Sequence, residues 1–180
     1  AITIAIYRPW DLQDGFMIGA PVGRDFANLW FGGHLASQGR FDLLIDLMNY
    51  NAAFSKFFAH NPAETFVFSY PPHMLLLLAP LGMLPFAVAA WVWTAINLVC
   101  IALATRLLSQ DRFALWAALL SPAVLTMVAF GHFGGMLSLA AIFILLRGKA
   151  RPVLSGLCLA LASVKPQFAI MLGIVLLFAG

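Results

Sequence analysis

Charge is what this sequence lacks most. Of its 180 residues only 9% are Asp, Glu, Lys or Arg, while 63% are apolar. A water-soluble domain carries about a quarter charged residues, so this chain could not cover a water-facing surface. That excludes a soluble enzyme, a disordered segment and a nucleic-acid binder, and leaves an integral membrane protein. Cysteine is scarce too. Cys100 and Cys158 both sit in apolar stretches, which excludes a disulfide scaffold and reads as two buried thiols. The four histidines, His34, His60, His73 and His132, show no ligand spacing, so no metal site is expected. No glycine-rich phosphate loop occurs, which removes the usual grip on a soluble nucleotide, and no cofactor is expected. The chain opens at Ala1 without a methionine and ends at Gly180 inside an apolar run, the pattern of a fragment.

What charge there is lies unevenly. Six of the seven acidic residues fall between Asp11 and Glu64, with Arg8, Arg24, Arg40 and Lys56 among them. The next charge is Arg106. Beyond it come Asp111, Arg112, Arg147, Lys149, Arg151 and Lys165. The sequence therefore predicts a polar external loop over 8–70 and an apolar transmembrane bundle over 71–180. Basic residues favour the cytoplasmic side, which puts Arg106 with Arg112, and Arg147 to Arg151, inside. Segment 86–105 is long enough to cross a hydrocarbon core of about 30 Å. An apolar pair, 113–129 and 133–146, would go out and return around Gly131-His132. Residues 71–84 carry Pro71, Pro72 and Pro80 and are short for a span, so they read as a half-inserted element or a broken helix. The run 152–180, interrupted by Lys165-Pro166-Gln167, reads as two short spans meeting externally at Lys165. The fold class expected is all-α, a polytopic transmembrane helical protein.

Inside the loop the apolar spacing is helical. Leu43, Leu47, Tyr50, Phe54 and Phe57 make one stripe, and Phe26, Trp30 and Gly33 a shorter one. Such helices can lie flat on a bilayer. At the start of the shorter stripe stands Asp25, which reads either as a helix N-cap or as a carboxylate able to act as general base on a sugar hydroxyl. Tyr70-Pro71-Pro72 reads as an aromatic belt at the interface or as the rigid wall of a cavity open to lipid, with His132 and Gln167 as further polar lining. Lys165, alone in an apolar run, reads as a phosphate partner or as a snorkelling end residue.

These residues carry a resemblance. Arg24-Asp25-Phe26 with Trp30 and Gly39, then Phe68-x-Tyr70-Pro71-Pro72, Pro80, Leu84-Pro85, Trp93, Asn97, a Gly131-centred turn, Gly156 and Lys165-Pro166 follow one another in an order that resembles the polyprenol-phosphate-mannose-dependent mannosyltransferases of glycosyltransferase family 87, in the GT-C superfamily. One departure is visible: the family often has Gly-Gln, then Asn, where this chain has Gly131-His132 and no Asn. The resemblance implies a GT-C-like fold forming the amino-terminal half of a multi-pass enzyme of the bacterial inner membrane. Its donor would be a polyprenyl-phosphate sugar and its acceptor a lipid or glycan on the external face. It implies Asp25 as the base, inversion at the anomeric carbon, and Arg24, Arg40 and Lys165 as cations for the leaving phosphate. A flippase for a lipid-linked sugar and a noncatalytic membrane subunit are the competing readings. A flippase would need the lipid-facing cavity without the base.

Overall fold

The computed structural model describes residues 23–58 and 66–178, apart from the Arg24 side chain. Every regular element among them is an α-helix. The chain divides into two compact units. The first combines the described residues up to Trp93 with a returning segment, Val128–His132; the second comprises Thr94–Met127 and the described residues from Phe133 onward.

The first unit is built around α1, Arg24–Ser37. Phe26, Leu29, Trp30, Phe31 and Leu35 are all buried, so apolar residues face inward around most of its circumference. This is a core helix, not the flat-lying surface helix expected from the Phe26/Trp30/Gly33 stripe. Its principal partner is α4, Met74–Gly82. The two backbones meet at Gly33 and Gly82: a Cβ built on Gly33 would strike the Leu78 carbonyl, and one on Gly82 would strike the His34 nitrogen and the Gly33 backbone. Hydrogen bonds fix the crossing from the α1 side. Trp30 Nε1–H donates to the Leu84 carbonyl at 3.2 Å, and His34 Nδ1–H donates to the Gly82 carbonyl at 2.9 Å. The Pro pair forms the lead-in to α4, with the Pro71 and Pro72 carbonyls accepting from Met74 N and Leu75 N at 3.0 Å. Nine residues make α4 about 14 Å long, so the Pro-rich 71–84 stretch holds a short helix.

The long stripe of the loop splits in two. Helix α2 spans Phe41–Ile45 and α3 spans Leu47–Phe57. Asp46 stands between them in extended conformation as the N-cap of α3, its Oδ1 accepting from Met48 N and Asn49 N at 3.1 Å each. The break resets the helical phase. Tyr50, Phe54 and Phe58 face the core, and Phe57, though 46% exposed, still meets Trp30 and Phe31 with ring centroids 5.5 Å apart, while Leu47 is 59% exposed. The expected Leu43–Leu47–Tyr50–Phe54–Phe57 stripe is thus broken at Leu47, because a capping Asp starts a new helix where a continuous one was assumed. Tyr50 Oη donates to Asn28 Oδ1 at 2.6 Å, and Asn28 Nδ2 donates to the Val67 carbonyl at 2.9 Å. That chain ties α3, α1 and the segment leading to Tyr70 together.

Helix α5, Phe86–Leu108, is the one described helix long and apolar enough to cross a membrane. Its 23 residues give about 34 Å. Its start to Trp93 belongs to the first unit and its remainder to the second. The expected single span over 113–129 is two helices, α6 (Arg112–Leu119) and α7 (Pro122–Phe130), bent by 44°. Pro122 cannot donate and disfavours helical backbone at Ser121, so the helix ends and restarts there. In the second unit, α8 (Gly134–Arg147), α9 (Pro152–Ala162) and α10 (Pro166–Phe178) pack on one another. The division of α9 from α10 falls at the Lys165-Pro166 pair, where the sequence places it. Buried Asn97 on α5 accepts from Gly135 N at 3.1 Å and Met136 N at 3.4 Å, capping the first turn of α8 from another helix.

Candidate functional site

The first turn of α1 carries Asp25, but the N-cap is Gly23, in left-handed conformation at φ 76°, and no side chain caps the helix. The N-cap reading of Asp25 is therefore corrected. A glycine takes the cap position because the chain must turn with positive φ there, and the Asp25 carboxylate stays out of the helix's own hydrogen bonding. It sits instead where the partial positive charge of the helix N-terminus favours an anion.

A second left-handed glycine meets it. Gly131 has φ 74°, and a Cβ there would strike Phe26 Cβ. The two segments lock together through Gly23 N–H donating to the Ala129 carbonyl at 2.6 Å, and through buried Trp93, whose Nε1–H donates to the Gly131 carbonyl at 2.9 Å. The product of that arrangement is a close polar contact: His132 Nε2 lies 2.7 Å from Asp25 Oδ2, with both side chains 39% exposed. The His132 ring stacks on Phe130 at 5.7 Å between centroids.

Tyr70 completes this side of the unit. Burial, then the nearby Asp25 charge, pushes its phenol up to about 12. It therefore remains protonated, and a hydrogen-bond donor, through the physiological range. An apolar groove of about 240 Å³ runs past it, lined among others by Phe41, Ile45, Phe68, Pro72 and Leu75. Ile45 is 86% exposed at its edge. The alkaline titration of Tyr70 is directly testable. A phenol near 12 in the folded state and near 10 unfolded binds its proton more tightly when folded. It thus stabilises the fold below about pH 10, and that contribution fades as pH rises towards 12. The ultraviolet difference between wild type and Tyr70→Phe should show a phenolate transition well above pH 10. It should move down in Asp25→Asn, which removes the neighbouring charge.

The remaining sequence candidates divide. Asp25, Tyr70, Pro71, Pro72 and His132 belong to the first unit, as does Arg40, while Lys165 and Gln167 belong to the second. The Arg24 side chain lies outside the described residues. Arg40 is exposed and faces Asp42, Nε to Oδ1 at 3.3 Å, and its guanidinium holds the Asp42 carboxyl below its usual range. Lys165 is half-buried, its Nζ 5.1 Å from the centre of the Phe133 ring, a cation–π contact. Gln167 is exposed on the first turn of α10. Among the described residues no group of three His, Cys, Asp or Glu converges as a metal site would require. Sequence reasoning missed the Asp25–His132 pair and the anchoring roles of Trp93 and Asn97. Nothing in the local pattern says which backbone groups those side chains reach.

Residues 68–180 match the model of glycosyltransferase family 87. No curated protein and no solved structure matches the chain. Tyr70, Pro71, Pro72, His132, Lys165 and Gln167 fall within the matched stretch; Asp25 and Arg40 precede it.

Proposed function

The chain belongs to glycosyltransferase family 87, whose members are membrane glycosyltransferases, and from that premise we propose the finer reading: it moves mannose, or a related hexose, from a polyprenyl-phosphate donor to a lipid or glycan acceptor on the external face of the bacterial inner membrane. In this reading the chain is multi-pass, the loop over 8–70 is external, and the transfer inverts the sugar.

The observation that carries it is Asp25. Its carboxylate is held on one oxygen by His132 and is half-exposed at a helix N-terminus, with protonated Tyr70 and an apolar groove on the same unit. The acceptor oxygen attacks the anomeric carbon and its proton passes to Asp25. The bond from that carbon to the phosphate oxygen breaks, and the electron pair leaves with polyprenyl phosphate. The groove suits the first isoprene units of the donor, which need apolar walls and no polar partner. Cations are required for the departing phosphate, and Arg24, Arg40 and Lys165 are the side chains this reading offers for that work. Apolar side chains exposed on the second unit, Leu157, Ile170 and Met171 among them, are what a lipid-facing surface needs.

The test uses the full-length protein in liposomes, offered labelled polyprenyl phosphate mannose or a nucleotide-activated mannose with a glycan acceptor. Transfer is expected from the lipid donor alone. Lys165→Ala should raise the donor KM, with Lys165→Arg recovering part of the loss because charge is kept while geometry changes. Movement of the lipid donor across the bilayer without transfer would make the protein a flippase and remove the proposal.

A further inference from the structure

We propose that His132 is the positioning residue for Asp25: its Nε2–H holds Oδ2 and leaves Oδ1 as the oxygen that receives the acceptor proton. The inference rests on the proposed role of Asp25 as base.

A carboxylate presents two equivalent oxygens on a side chain free to rotate about two bonds. A base must present one of them along a defined line to the hydroxyl it deprotonates, and a misplacement of about 1 Å can cost about a hundredfold in rate. Asp25 receives no such constraint from its own helix, because Gly23 holds the cap position and no side chain caps α1. Among the described residues the 2.7 Å contact to His132 is the one ion pair or hydrogen bond to its carboxylate. A carboxylate oxygen only accepts, so the ring nitrogen carries the proton, and the bond is charge-assisted.

An exposed ion pair by itself is worth little, because two mobile side chains must be ordered to make it. Here the ordering is already in the backbone. Gly131 occupies a left-handed conformation in a place that admits no Cβ, its carbonyl is bound by the buried Trp93 indole, and the preceding Ala129 carbonyl is bound by Gly23. The same Gly23 introduces Asp25. Acid and imidazole are thus mounted on two turns that are bonded to each other, and the His132 ring is braced against Phe130. That is a support for a carboxylate of fixed direction. It asks of residue 132 only an N–H at the right place, which a glutamine also supplies.

The experiment compares His132→Ala, His132→Gln and His132→Glu in the full-length enzyme, alone and with Asp25→Asn, by kcat, KM and thermal unfolding in detergent. His132→Ala should lower kcat by about a hundredfold with donor and acceptor KM little changed. Gln should restore most of the loss. Glu, of nearly the same volume but without a donor, should not. In the Asp25→Asn background His132→Ala should add almost nothing, because the carboxylate it positions is gone. Wild-type kcat in His132→Ala, or equal rates in the Gln and Glu variants, overturns the inference while leaving Asp25 as base. Near-normal transfer by Asp25→Asn itself removes the base reading instead, so the two failures are distinct. If the Ala variant does not fold, the Gln and Glu contrast decides the matter alone.

Discussion

Asp25→Asn should leave a folded protein that transfers mannose roughly a hundred to ten thousand times more slowly, the usual range for loss of a general base. The substitution keeps shape and hydrogen-bonding reach. It removes no helix cap, since Gly23 occupies that position, and it leaves an acceptor oxygen for His132 Nε2–H. It does remove a favourable charge from the first turn of α1, worth about 0.3–1 kcal/mol at a half-exposed site, too little to unfold the domain. Unfolding temperature and folded yield should therefore stay close to wild type while turnover collapses. Rates near wild type in a well-folded Asn variant would move the base to another loop acid, Asp14 or Asp42. Asp42 is the weaker replacement in chemical terms, because Arg40 already holds its carboxyl in the anionic form. Asp14 lies outside the described residues.

The second large effect is on folding. Gly33→Val or Gly82→Val should prevent the first unit from assembling. Each new side chain meets backbone, the Leu78 carbonyl for Gly33 and the His34 nitrogen with the Gly33 backbone for Gly82. Backbone cannot rotate away as a side chain can. The helices would have to separate, stretching the Trp30 and His34 hydrogen bonds that fix the crossing. Overpacking of a well-packed core costs about 1–3 kcal/mol and more when the neighbours are rigid, and close helix crossings in membrane proteins depend on small residues for this reason. The measurement is folded yield and unfolding temperature in detergent. Gly156→Ala is the control: it lies inside α9 with nothing within 4 Å of a new Cβ, and a mid-helix Gly→Ala change gains about 0.5–1 kcal/mol. If Gly82→Val melted like Gly156→Ala, the close α1–α4 approach would be refuted.

Much of the architecture could be read from the residues, and the reasons are local. Proline announces its own breaks: Pro166 separates α9 from α10, and Pro71-Pro72 precedes a short α4. The apolar run after Pro85 gives α5. The same rule was available at Pro122, but the surrounding apolar residues suggested one span, and the bend was missed. The register of α2 and α3 was misread because Asp46 can be a surface residue within a helix or a cap between two. Only its capture of the Met48 and Asn49 amides decides between them. In the site, Asp25 and Tyr70 stood out by chemistry. The partnership of Asp25 with His132 did not, since it depends on two left-handed glycines and an indole reaching across the fold. The ordered set that carries the resemblance contains Trp93, Asn97 and Gly131, and the structure gives each a job: an anchor, a cap supplied from another helix, and a turn.

The returning segment Val128–His132 also imposes an order on biosynthesis. The first unit is discontinuous in the chain, interrupted by Thr94–Met127. When the ribosome has passed Trp93, the whole of the α1 sequence has been made, yet Asp25 has no imidazole and the Trp93 indole no carbonyl. Both arrive only with residues 131 and 132. At about 5–20 residues per second that wait is roughly 2–8 s. During it an aromatic-rich nascent unit stands incomplete. A nascent chain arrested before Gly131 holds every acid of the amino-terminal loop and still lacks the imidazole that meets Asp25. The first unit is thus complete only once residue 132 has been added.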